Sequence, residues 1–295
     1  MAEYKRVLQD DANFLVETTD WQGKKAVKKT AKPSAPLTRI ERVNNDVLGM
    51  QFFAELADKH PTLQLWVPIV YESGPGYYIR EFIKDEPVVN EDTPFEHAKP
   101  RLDHLAELLA EIDGLDLPAE PAGYIGSSNY QNLANSIPRW ADENIADGIM
   151  TKEEGARAKE ISIGLGKYLE PRIAHGDMSP YKHAYLSKDG KIALIDFENF
   201  TTHAARYFDV AWSYTRLYGF ADSPDHAKYF LSSFMKKANM APHMKEQLMA
   251  VILQRTLGLQ KDADADLKET GIDRKARAKH LLGFVLENTL GLLHL

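Results

Sequence analysis

"HGDMSPYKHAYL", residues 175–186, is the stretch on which the reading of this chain turns. A carboxylate, Asp177, follows a His-Gly pair, and a strand-like run begins at His183. Lys188-Asp189-Gly190 separates that run, "HAYLS", from a second, "KIALIDF". Asp-Gly between alternating apolar runs signals a tight hairpin. The second run ends in Ile195-Asp196-Phe197, which brings Asp196 out at a sheet edge. One hairpin therefore joins two aspartates that can face a common cleft. Such a pair suits phosphoryl transfer, in which one carboxylate orients and deprotonates an attacking hydroxyl while the other holds Mg²⁺ on nucleotide phosphates. Magnesium takes a few hard oxygen ligands and keeps several waters, so one Asp and a helper suffice.

Upstream of this stretch the chain divides by pattern. "FLVETT" (14–19) and "KKAVKKT" (24–30) read as strands around the turn residues "DWQG" (20–23). "AKPSAP" (31–36) breaks the pattern. A helix is expected over 37–60, where Ile40, Val43, Val47, Met50, Phe53 and Leu56 step by three and four. "LWVPIVYESGPGYYIREFI" (65–83) gives two more strands around a Gly-Pro-Gly turn. The Pro- and charge-rich "KDEPVVNEDTPFEHAKP" reads as a crossing into a second, helical region, with helices around Leu102–Ile112, over 153–170 and through most of the chain beyond 203.

Bulk properties narrow the function. The chain has 295 residues, enough for two lobes, with 44% apolar and 27% charged residues. A net charge of -7 argues against nucleic acid or an anionic membrane as partner. The absence of cysteine excludes disulfides, thiolate metal sites and cysteine nucleophiles. No basic-then-apolar leader and no run of 18 apolar residues is present, so neither a signal peptide nor a membrane span is expected. The apolar C-terminal stretch "HLLGFVLENTLGLLHL" is expected to pack as a terminal helix. A cytoplasmic monomer is the default expectation.

The ordered set "HGDMSPYKHAYL", "IALIDFE" and "RYFDVAW", spanning 174–212, resembles the aminoglycoside phosphotransferase and choline kinase family, a branch of the protein-kinase-like fold. The resemblance implies an α+β, two-lobed architecture. Residues 1–85 would form a small antiparallel sheet with one helix that binds nucleotide, and residues 86–295 a larger, mainly helical catalytic and substrate lobe. It implies ATP or GTP, Mg²⁺ or Mn²⁺, and a hydroxyl-bearing small molecule (aminoglycoside-, choline- or sugar-like) as acceptor. Asp177 would be the catalytic base, Asp196 the metal ligand, Asp209 a brace for the catalytic loop, and His175 a packing residue beneath it. A phosphate-binding lysine belongs on the third strand. Residues two apart in a strand share a face, so Ala26 and Lys28 would look into the cleft, and Lys28 is preferred over Lys29. Its acidic partner would be Asp46, with Glu41 as the alternative. Backbone groups around Glu81 to Ile83 would meet adenine.

Three features depart from the family pattern. No glycine-rich loop is visible in "LQDDANFLVE". Asp46 is one methylene shorter than the usual Glu. The family's metal-binding Asn falls on Lys182 by counting from Asp177, but on His183 when "HAYLSKDGK" is laid on the strand that follows. His183 is the preferred ligand, since a neutral imidazole can bind a divalent ion, better Mn²⁺ than Mg²⁺. A nucleotide-binding pseudokinase is the rival reading, and a metal-dependent hydrolase built with His203 a third. Asp142, Glu143, Glu198, Asp222 and Asp225 would suit a cationic acceptor. Trp140, Trp212 and Tyr214 are expected in the core, with stacking on an acceptor as the alternative.

Overall fold

The computed structural model describes residues 6–90, 92–116, 133–219, 223–239 and 241–287. A five-stranded antiparallel sheet is built from β1 (Val7–Asp10), β2 (Phe14–Trp21), β3 (Lys24–Ala31), β5 (Val70–Gly74) and β6 (Tyr77–Glu81), in the order β1-β2-β3-β6-β5. Gln22 and Gly23 both take positive φ between β2 and β3, as a two-residue hairpin turn requires. The expected helix is α1 (Leu37–Lys59), and its predicted stripe at Val43, Val47, Met50, Phe53 and Leu56 is buried.

A second sheet carries the decisive hairpin. Here β4 (Leu65–Trp66), β7 (Glu86–Pro87), β9 (Ala184–Leu186) and β10 (Ile192–Leu194) run in the order β4-β10-β9-β7. The short strands β4 and β7 thus hydrogen-bond to the hairpin of the helical region. A third pair joins β8 (Pro171–Ala174) to β11 (Thr201–Ala205). The short strands β7, β8 and β11 have too few residues to show a period, so the sequence does not announce them.

The remaining elements are α2 (Phe95–Gly114), α3 (Leu133–Ala146), α4 (Lys152–Gly166), α5 (Phe208–Gly219), α6 (Pro224–Lys237), α7 (Met244–Thr270) and α8 (Lys275–Glu287). Thr151 and Glu154 form a reciprocal capping box that starts α4. Helix α7 runs through the middle of the helical lobe, with Leu248–Leu253 wholly buried. Helix α8 buries Leu281, Leu282 and Val285, which accounts for the apolar C-terminal pattern up to residue 287. The rest of that stretch lies outside the described residues. Among the described residues no helix is long and apolar enough to cross a membrane.

The lobes meet where α1 crosses the segment after β10. Gly49 sits at that crossing, and a Cβ there would lie 2.5 Å from the Phe197 Cβ. The absent side chain lets α1 approach the backbone that follows Asp196.

Candidate active site

Residue alternation decides which lysine enters the cleft. Lys29 pairs across the ladders with Val16 and Tyr78 and shares their face, the face covered by α1. Its Nζ lies 3.0 Å from Asp46 Oδ2 and 2.6 Å from Asp196 Oδ1. Lys28 points to the opposite face, its amine 5.6 Å above the Tyr77 ring. The expectation that Lys28 faces the cleft is therefore corrected to Lys29. The phase of β3 follows from its pairing with β6, which the Ala-Val-Lys-Lys letters leave open. Asp46, fully buried on α1, accepts from three groups: Lys29, the Tyr78 hydroxyl (2.8 Å) and the Phe197 N–H (2.7 Å). Glu41 is exposed on the far side of the helix.

The loop that carries Asp177 is braced from below. Asp209, in the first turn of α5, accepts the His175 N–H (2.8 Å) and the Gly176 N–H (3.0 Å). Burial pushes its carboxyl up to about 7, against the pull of those two bonds. Gly176 has φ +85°, and a Cβ there would meet the Asn199 carbonyl oxygen at 2.0 Å. Only glycine fits this position. His175 is buried, and its Nε2–H donates to the Ile195 carbonyl (2.9 Å) while Nδ1 accepts the Asp177 N–H (3.2 Å). Those bonds and its packing on Phe197 make His175 a support for the loop.

Asp177 and Asp196 are bridged by His183. Its Nδ1–H donates to the Asp177 carbonyl (2.7 Å) and lies 3.5 Å from the Asp177 carboxylate, while Nε2 is 3.3 Å from Asp196 Oδ2. Burial opposes the imidazolium, but the two carboxylates overcome it and raise His183 to about 9. The same logic holds Asp177 low: burial opposes its ionisation, and His183, then Arg216, outweigh it. Burial likewise opposes the charge on Asp196, and Lys29 and His183 drive its carboxyl well below the usual range. Asp196 takes a left-handed backbone, φ 65° and ψ 58°, a strained conformation that Asp tolerates better than most residues. Lys182 is exposed and its amine leans over Tyr181.

Among the described residues no group of three or more His, Asp or Glu is gathered to hold a metal. Two adjacent ligands on an octahedral ion at about 2.1 Å are about 3 Å apart, and His183 Nε2 and Asp196 Oδ2 are 3.3 Å apart. A neutral His183 and Asp196 therefore have the spacing of two ligands of one ion, with phosphates and water completing its shell. The hydrolase reading loses His203, which is exposed on β11 and pairs with Thr202.

Glu81 ends β6, where its N–H bonds the Ile69 carbonyl (2.9 Å) and its own carbonyl accepts from Arg80 (2.9 Å). Ile83 follows, half-buried, at the exit of the strand. The turn between β1 and β2 is closed by Asp11, whose carboxylate takes the N–H groups of Asn13 and Phe14, in place of a glycine-rich loop. Trp212 and Tyr214 are core residues. The acidic residues proposed for a cationic acceptor have other partners: Asp142 pairs with Lys159, Glu143 with Lys261, and Glu198 with Lys29 and Arg42. Asp225 is exposed at the start of α6, and Asp222 lies outside the described residues. Sequence reasoning missed Tyr78, although its place in the alternation of "YYIRE" opposite Lys29 marks it once the register is known.

A model of the phosphotransferase enzyme family matches residues 6–240. Solved structures with the same fold include a thermostable mutant of aminoglycoside phosphotransferase APH(4)-Ia in ternary complex with ADP and hygromycin B. It is 16% identical, with a TM-score of 0.63 over 96% of this chain and 93% of that one. Macrolide 2'-phosphotransferase type I is 13% identical, with a TM-score of 0.58 over 94% and 90%. Spectinomycin phosphotransferase APH(9)-Ia, in complex with ADP and spectinomycin, is 13% identical, with a TM-score of 0.55 over 99% and 93%. No curated protein sequence matches the chain.

Proposed function

The chain belongs to the phosphotransferase enzyme family, and from that premise we propose that it moves the γ-phosphate of ATP to a hydroxyl of a small molecule of the aminoglycoside-, choline- or sugar-like class. The observation that carries this reading is the continuous chain Asp46–Lys29–Asp196–His183–Asp177, which links the sheet lobe to a braced catalytic loop. The lobes divide as nucleotide-binding residues 1–85 and catalytic residues 86–295, and the working form is a cytoplasmic monomer.

The roles follow from position and charge. Lys29, held by Asp46, exchanges Asp196 for the α- and β-phosphates when nucleotide enters. Glu81 and Ile83 border the adenine. Asp196 and a deprotonated His183 would hold the divalent cation, which would supply neutralisation of charge on the transferring phosphoryl group. Asp177, ionised and fixed by the Asp209 brace, orients the acceptor hydroxyl and takes its proton as the phosphoryl group departs from the nucleotide. A depressed carboxyl is a weak base, which suits a loose transition state in which positioning outweighs early proton removal.

The test is nucleotide calorimetry with Mg²⁺, Mn²⁺ or EDTA, paired with two variants. Asp177→Ala should abolish transfer and leave nucleotide affinity nearly unchanged. Asp196→Ala should weaken metal–nucleotide binding itself. Full activity in both variants would refute the mechanism, and metal-independent nucleotide binding without turnover would identify a pseudokinase.

A further inference from the structure

We propose that Arg80 reads the base of the donor nucleotide, and that the cleft holds a 6-oxopurine, guanine or hypoxanthine, more tightly than adenine. This rests on the phosphotransferase reading and deepens it: ATP remains a donor, and GTP binds better.

The face of the first sheet that carries Lys29 looks onto the second lobe, since Lys29 reaches Asp196 at 2.6 Å. In the β3–β6 ladder Lys29 stands opposite Tyr78, and Val27 stands opposite Arg80. Residues two apart in a strand share a face, so all four side chains lie on this one. Arg80 is the last inward residue of β6, directly before Glu81 and the crossing to the second lobe. It lies one ladder step from Lys29, about 7 Å of strand rise. Phosphates held by Lys29 therefore put the base end of a nucleotide towards Arg80.

Arg80 is only 7% exposed. A buried charge is costly unless it is paired. Lys29 has Asp46 and Asp196 for this purpose, whereas among the described residues no carboxylate pairs with Arg80. Its Nη1–H donates to the Glu81 carbonyl (2.9 Å), and its Nε–H, shielded from solvent, meets no acceptor. A guanidinium has five N–H donors and no acceptor, so this one has donors to spare.

The bond to Glu81 changes what the strand exit offers a base. A bare Glu81 carbonyl would accept the exocyclic amine of adenine. Here a donor caps that carbonyl, and the group beside it is a guanidinium. Guanine and hypoxanthine present two acceptors along one edge, O6 and N7, where adenine presents its N6 amine beside N7. The planar fork of an arginine meets O6 and N7 with two N–H groups, and it meets the amine donor against donor. The amine finds its acceptor only by displacing Arg80 from Glu81, which strips a buried cation of its bond. A site built to donate to a carbonyl rejects an analogue that lacks one, because its own buried groups are then left unpaired.

The experiment is calorimetry on the full chain with MgADP, MgGDP and MgIDP. The inosine nucleotide shares the 6-oxo group of guanine and lacks its 2-amino group, so it isolates the contact. MgGDP and MgIDP should both bind about tenfold more tightly than MgADP. Arg80→Met should weaken both 6-oxo nucleotides by about tenfold or more and leave MgADP no weaker. Arg80→Lys keeps a charge without the fork and should keep part of the preference. If Arg80→Met fails to fold, the ranking in the parent and in Arg80→Lys decides. Equal or tighter binding of MgADP by the parent, a preference for MgGDP that MgIDP does not share, or an unchanged ranking in the variants would overturn the proposal and leave the phosphotransferase reading standing. Binding of none of the three nucleotides would sink that reading, and the proposal with it.

Discussion

Replacing each of the two neighbouring lysines of β3 by methionine separates the geometry found here from the reading that the letters invite. Lys29→Met keeps the apolar stem and deletes a cation that lies 3.0 Å from Asp46 and 2.6 Å from Asp196. Breaking a buried ion pair from one side costs about 3–5 kcal/mol, because the partner charge stays buried. Asp46 keeps two donors, the Tyr78 hydroxyl and the Phe197 N–H, so the loss should fall near the lower end, about 3 kcal/mol. Lys28→Met removes a cation stacked 5.6 Å over Tyr77, a contact of about 0.5–1 kcal/mol at a half-exposed site. Urea unfolding of both variants gives the stability difference, and calorimetry with MgATP gives the affinity difference. Lys29→Met should lose nucleotide affinity and Lys28→Met should keep it. A double-mutant cycle with Asp46→Asn should be non-additive by about 2 kcal/mol. Equal losses at the two lysines, or strict additivity in the cycle, would refute the assignment.

Tyr78→Phe removes one of the three donors to Asp46 and should lower unfolding free energy by about 1–3 kcal/mol while raising KM for ATP; unchanged values of both would show that the hydroxyl is idle. His175 should shape the acid limb of the stability curve. Burial, then His183, lowers its pKa from 6.5 to about 4, so between those values the unfolded chain takes up a proton that the folded chain refuses. Its contribution is complete above pH 6.5 and is lost as pH falls towards 4, by about 3 kcal/mol in all. Urea unfolding from about pH 7.5 down to about pH 4.5 should show a shallower decline in His175→Gln than in the parent, and parallel curves would contradict the burial argument.

What the sequence disclosed depended on how local each signal was. Asp177 and Asp196 were legible because one Asp-Gly turn ties them together over a short span. Asp46 was legible because the helical stripe of α1 has a clear phase around Val43, Val47 and Met50. The choice between Lys28 and Lys29 was not legible, since both candidates carry the same letter and the phase of β3 is set by its register with β6, which brings Tyr78 opposite Lys29.

Two of the three departures from the family pattern are offset by their surroundings. An aspartate in place of the usual Glu has less reach, and the structure supplies the missing distance by bringing the helix in: Gly49 allows α1 to press on Phe197. The shortened acid then does something a longer one would be displaced from doing, which is to accept the Phe197 N–H directly and tie α1 to the residue after Asp196. A histidine in place of the Asn has a different consequence. As an imidazolium, His183 joins Lys29 in neutralising Asp177 and Asp196, so the nucleotide-free cleft is held together by its own charges. The same substitution that looks like a lost ligand in the sequence is, in the folded chain, the group that spans Asp177 and Asp196.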